Sequence, residues 1–322
     1  MDEGLIGIRA VHFAATAMTA GAVVFGTLVA EPALRTVEAA PATATAVRAR
    51  LACVAWIALA LAALSGPPWL MVVAGRILGQ GPGDTLSTGA AWTVLAETQF
   101  GHTMTVRLGV ALALAVAMAA LAATDGTIRA WRRWPPSLLA AALLGALAWT
   151  GHSGARPGAV GDFQLVCDIL HLLAAGAWVG GLLPLALVLS FARRSMDRGG
   201  AGLAAAAAHR FSTLGMVAVA TLTVTGIVNT WILVGSVSAL VETDYGRLLT
   251  AKVMLFAIML SVAAINRLRL VPRLDAAETV RRLQRNSLME VALGLAVIAI
   301  VGALGTIEPA VHEMMMEGPH MH

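Results

Sequence analysis

The chain is a succession of apolar runs, most of about 20 residues or more, separated by short segments rich in Arg, Gly and Pro. A helix of that length crosses the roughly 30 Å of hydrocarbon in a bilayer, and there only helices and closed barrels satisfy every backbone amide. The runs are long and uninterrupted, which favours helices. The expected fold is an all-α polytopic membrane bundle of about eight transmembrane helices, near residues 5–30, 51–74, 102–123, 136–151, 163–191, 211–235, 246–270 and 288–307. Only 12% of the residues are charged, against about 25% in a soluble domain, and the mean hydropathy is +0.80. The pI of about 10.0 would suggest nucleic acid in a soluble chain, but here the arginines sit between apolar runs, so the expected partner is the lipid bilayer and no nucleic acid.

Basic residues concentrate in alternate loops. Those after the first, third, fifth and seventh runs hold sixteen of the 22 Lys and Arg, among them Arg35, Arg48, Arg129, Arg133, Arg193, Arg210, Arg267 and Arg285. Loops retained in the cytoplasm carry such an excess, so both termini are expected outside, on the periplasmic side. Met1 to Gly4 is acidic, and the first run is expected to stay as a helix rather than be cleaved as a signal. Residues 1–307 are read as one transmembrane domain and 308–322 as a Met/His-rich periplasmic tail. Ala90 to Phe100 and Ala204 to Ala208 are expected as interfacial helices, and no short-period repeat stands out. Cys53 and Cys167 fall near opposite ends of the layer, beyond the roughly 7 Å Cα limit of a disulfide.

Four histidines fall in the outer half of this layout: His12, His102, His152 and His171. Ionisable groups at such depth are costly and usually face a bundle interior, a cavity or a partner. Asp168 and His171, three residues apart, share a helical face with Gln164, Ala175 and Trp178, while Arg9, His12, Thr16 and Thr19 form a second polar stripe. The two stripes are expected to pack together, as facing helices do where bundles assemble metal sites. Imidazole suits copper, zinc, iron or nickel, and thioether sulfur selects chiefly Cu(I). The tail HEMMMEGPHMH supplies both, through His312, Met314, Met315, Met316, His320, Met321 and His322, which points to copper in either oxidation state. Structural roles stand beside these: His152 as a helix C-terminal cation, Asp168 paired with Arg9 or Arg107 or fixing the tautomer of His171, and Met18, Met118, Met216, Met254 and Met259 as packing.

GHSG at Gly151–Gly154, DILHLLAAGAWVGGLLPL from Asp168, RFSTLGMVAVATLTVTGIVNTW from Arg210 and YGRLLTAKVMLFAIMLSVAAINRLRLVPRL from Tyr245 resemble the copper resistance protein D family. The likeness is strong over about residues 140–275 and looser through RAVH at Arg9–His12 and TQFGH at Thr98–His102. It implies an eight-helix inner-membrane protein of copper homeostasis, a carrier rather than an enzyme. It implies a periplasmic copper-binding partner of the CopC type and site positions at His152, Asp168 and His171, with His12 and His102 as looser matches. The tail is not part of the family pattern. Ligands in the inner half are sparse, Cys53 being the one soft candidate besides methionines. Other readings remain: a b-type haem carrier or cupric reductase, with haem between His12 and His171, a copper sensor or store without transport, and a membrane scaffold whose polar residues only bind helices together.

Overall fold

The computed structural model describes residues 3–79, 81–123, 130–151, 158–196, 199–308 and 310–311. It is helical, with no strand among the described residues. Seven helices are long and apolar enough to cross a membrane: α1 (Glu3–Thr36), α2 (Pro41–Leu78), α3 (Gln99–Ala122), α5 (Ala159–Arg194), α6 (Gly200–Val234), α7 (Asp244–Arg273) and α8 (Ala277–Leu304). Between α3 and α5 stands the shorter α4 (Trp134–Gly145), prolonged by a 3₁₀ stretch, Ala146–Thr150. Each of the eight apolar runs thus forms a helix.

Helix limits differ from the sequence reading where loops turn out helical. Ala204–Ala208 does not form a separate interfacial helix. It is the first part of α6, and Ala204, Ala207 and Ala208 are buried in the main apolar cluster because alanine lets the helix approach its neighbours. The Ala90–Phe100 segment divides: a short helix ends at Glu97, and α3 starts at Gln99 after the Thr98 side chain caps it by accepting from the Gly101 amide at 3.0 Å. The start of α7 repeats this design, with Thr243 accepting from the Gly246 amide at 2.9 Å behind the short helix Ala239–Glu242.

α1 and α5 form the centre. α1 packs on α2, α4, α5 and α8; α5 packs on α1, α4, α6 and α8. Their mutual contact is made by backbone. A Cβ added at Gly21 would lie 2.2 Å from the Gly180 carbonyl carbon, and one at Gly180 would lie 2.2 Å from the Ala17 oxygen, so only glycine permits this approach. One apolar cluster then fills the space among α1 to α4, around Trp69, Leu114 and Leu144, and another the space among α5 to α8 and the ends of α1 and α2.

At the C-terminal end of α1, the buried Glu31 carboxylate gathers three arginines, Arg35 at 3.2 Å, Arg48 at 3.0 Å and Arg133 at 3.2 Å. This brings the first and second of the basic loops to one end of the bundle, as their alternation requires. The histidines His12 and His171 lie toward the other end.

Candidate metal centre

His12 projects from α1 toward α2 and α3. Arg107 of α3 donates from Nη2 to His12 Nε2 at 2.8 Å and from Nη1 to the Leu143 carbonyl of α4 at 2.5 Å. A guanidinium has no acceptor, so His12 Nε2 supplies the lone pair and Nδ1 carries the proton. That proton goes to Ser65 Oγ of α2 at 2.9 Å, whose own hydrogen goes to the Leu61 carbonyl at 2.7 Å. Both imidazole nitrogens are engaged. Trp69 packs 5.1 Å from the ring, and the Arg9 guanidinium lies 5.4 Å from the centroids of both Phe13 and Trp69. The surroundings of His12 are aromatic and cationic.

His171 projects from α5 toward α6. Its Nδ1 pairs with Thr225 Oγ1 at 2.9 Å, and Thr225 passes its hydrogen to the Thr221 carbonyl at 2.7 Å. Thr225 therefore accepts, Nδ1 is the protonated nitrogen, and Nε2 keeps its lone pair. No described residue hydrogen-bonds that Nε2. One turn earlier on α5, Asp168 accepts from Asn229 Nδ2 at 2.6 Å. Lys252 and Tyr245, the single lysine and single tyrosine of the chain, come from α7 and lie close enough to feel the Asp168 charge; Lys252 also acts on His171. This half offers an imidazole lone pair one helical turn from a carboxylate, a nitrogen and oxygen donor pair that suits a borderline divalent cation.

The two histidine settings share one plan. His12 and His171 each donate to a hydroxyl of the following helix, and a Cβ on the next residue, Gly66 or Gly226, would sit 3.9 or 3.8 Å from the ring. Thr98 and Gly101 before Arg107 correspond to Thr243 and Gly246 before Lys252, and Phe100 to Tyr245. Arg9 stands where the other half has Asp168. The equivalent glycines Gly21 and Gly180 touch, as at a two-fold axis. Three helices of each half, α1–α3 and α5–α7, thus follow one plan, a long-period repeat carried by too few residues to stand out in the sequence.

Two expectations change with this geometry. The polar stripes of α1 and α5 do not pair: the glycine seam occupies the surface between these helices and turns His12 toward α2 and α3, His171 toward α6 and α7. The ion pair of Asp168 with Arg9 or Arg107 does not form either. Arg107 is committed to His12 and Leu143, Arg9 stacks on aromatic rings, and Lys252 supplies the neighbouring positive charge. His102 is exposed at the start of α3, where Nε2 pairs with the Ala96 carbonyl at 2.8 Å. His152 and the tail ligands His312, Met314, Met315, Met316, His320, Met321 and His322 lie outside the described residues. Among the described residues no three His, Cys, Asp or Glu side chains gather as a metal cage. Haem held between His12 and His171 would need both Nε2 atoms, and that of His12 is taken by Arg107. Cys53 is exposed on α2 and Cys167 is buried on α5, both as free thiols.

The fold and this site define a polytopic α-helical membrane protein with polar, metal-competent groups held inside the bundle. The family model of the copper resistance protein D-like N-terminal domain matches residues 1–162, and that of copper resistance protein D matches residues 205–304. The chain belongs to the copper resistance protein D family. It is 31% identical over 229 residues to the copper resistance protein D of Pseudomonas syringae pv. tomato, covering 69% of this chain and 68% of the relative. The inner membrane protein YebZ of Escherichia coli K12 is 28% identical over 94% of this chain and 98% of its own length. The copper transport protein CutJ of Bacillus subtilis is 32% identical over 72% of this chain, which spans only 41% of that longer protein.

Proposed function

We infer that this protein takes up copper ions at the periplasmic face of the inner membrane through the α5–α7 half of the bundle and passes them toward the cytoplasm. The observation that carries this reading is the Nε2 lone pair of His171, held open by Thr225 with Asp168 alongside. A neutral imidazole fixed by a hydrogen bond at its other nitrogen is the usual form of a histidine metal ligand. Lys252 acts as the counter-charge that an arriving cation displaces from Asp168. His102, His152 and the Met/His tail serve as earlier donors that collect copper, with a soluble carrier of the CopC type as its source. His12 joins only when Arg107 swings away.

Elemental analysis of the purified protein, full length and truncated after Pro309, tests this reading together with the visible spectrum. Copper bound by the truncated chain and lost in His171→Ala is the expected result. Copper lost with the tail, or kept in His171→Ala, overturns the assignment, and stoichiometric iron with a Soret band replaces copper by haem.

A further inference from the structure

α8 carries a carboxyl that copper capture does not use. Glu290 is 1% exposed, and its Oε1 accepts from Asn266 Nδ2 at 2.7 Å, while Oε2 has no partner. The carboxyl lines a cleft of about 320 Å³ whose back wall is α5, at Trp178, Leu182 and Leu185, and whose sides are α6 and α7. It lies toward the arginine-rich end of the bundle: on α5 the cleft begins at Trp178, two turns beyond His171. The donors around the carboxyl are oxygens, from Glu290, Asn266 and Ser287, with Met216 of α6 the one thioether on the cleft wall and no imidazole, a set dominated by hard ligands that matches Cu(I) poorly.

No arginine, lysine or histidine forms an ion pair with Glu290 among the described residues. Arg267, the one charged side chain facing the cleft from α7, is exposed at the rim and donates to Ser212 of α6 at 2.6 Å. The faces of α5 and α6 that line the cleft are otherwise apolar or hydroxyl-bearing. A buried carboxylate with an unsatisfied oxygen and no counter-charge is far costlier than the neutral acid, so Oε2 carries a proton in this arrangement. Asn266 opens a π-helical turn, Asn266–Leu270, of the kind often retained at working sites. It also accepts from Asn286 Nδ2 at 2.7 Å, so amides link Glu290 to the end of the helix.

We propose that Glu290 is a proton-exchange site in a cleft facing the arginine-rich side, loading and releasing a proton at Oε2 past Arg267 and Ser212. Asn266 positions the carboxyl and stays bonded to Oε1 in both states. The site stands apart from copper capture at His171, and its test needs no copper.

A hydrophobic carbodiimide adds to a protonated buried carboxyl reached through lipid, giving an acylurea without any other reagent. The full-length protein in lipid nanodiscs, treated across a pH series and read by peptide mass spectrometry, is expected to be modified at Glu290. Modification should fall about tenfold for each pH unit once the acid ionises. Glu290→Gln loses the adduct while eluting as monodisperse protein on size exclusion with an unchanged helical circular-dichroism spectrum, which shows that it folds. Absence of modification at Glu290 at acid pH, or a yield independent of pH, overturns the proposal. Protection by sodium against choline at fixed pH also overturns it, by assigning the carboxyl to a metal cation.

Discussion

In α1–α4 the imidazole of His12 is held at both nitrogens, by Arg107 and Ser65; in α5–α8 that of His171 is held at one, by Thr225. The architecture around the two rings is the same, down to the threonine-capped helix start and the glycine after the hydroxyl. The difference lies in a few side chains. Arg9 and Trp69 surround His12 with positive charge and aromatic surface, whereas Asp168 and Asn229 give His171 a carboxylate with an amide to orient it. One duplicated frame thus yields a locked ring that ties three helices together and an open ring able to meet a cation. The comparison teaches that the neighbours, rather than the presence of a histidine, decide whether a ring keeps a lone pair open, and on the proposed function it is the open ring that meets copper.

Substitutions that strike this comparison range from severe to slight. Gly180→Leu places a side chain into the α1 backbone and should separate the halves, seen as loss of monodisperse protein on size exclusion and a stability loss above about 3 kcal/mol. His171→Ala should weaken copper binding by more than about 100-fold, since removing the ligand exceeds the cost of removing its support. Thr225→Val, which releases the tautomer without touching the ligand, should weaken binding about tenfold by competition with a copper chelator, and an unchanged affinity would show that the hydroxyl is only packing. Arg107→Gln frees the Nε2 of His12 and should convert the locked half into a second, weaker copper site, visible as a rise in stoichiometry. The smallest effect is expected for His12→Ala: copper content unchanged, with about 1–2 kcal/mol lost in thermal unfolding from the broken Arg107–His12–Ser65 chain.

Much of this was legible in the residues. Apolar runs announce the helices because the bilayer imposes their length, and the three-residue spacing of Asp168 and His171 puts them on one face. The partners were hidden because they depend on which helices become neighbours: nothing local to Thr225, Asn229 or Ser65 says that each meets a particular ring or carboxylate. Lys252 served only as an orientation count, although a single lysine in an apolar run was itself a signal. Glu290 is not singled out by the sequence because an apolar run starting at Leu288 puts it at the helix end. α8 begins at Ala277, which puts Glu290 roughly three and a half turns inside the helix. The repeat escaped because its halves agree in the residues that shape contacts and differ in those that carry charge.

Trp178 and Phe256 meet edge to face, with centroids 6.0 Å apart, one to two turns beyond His171 and Lys252 and at the head of the Glu290 cleft. In electrical terms this pair is an insulator. It stands between the polar group around His171 and the polar group around Glu290, and its low-dielectric ring surface raises the cost of placing a charge between them.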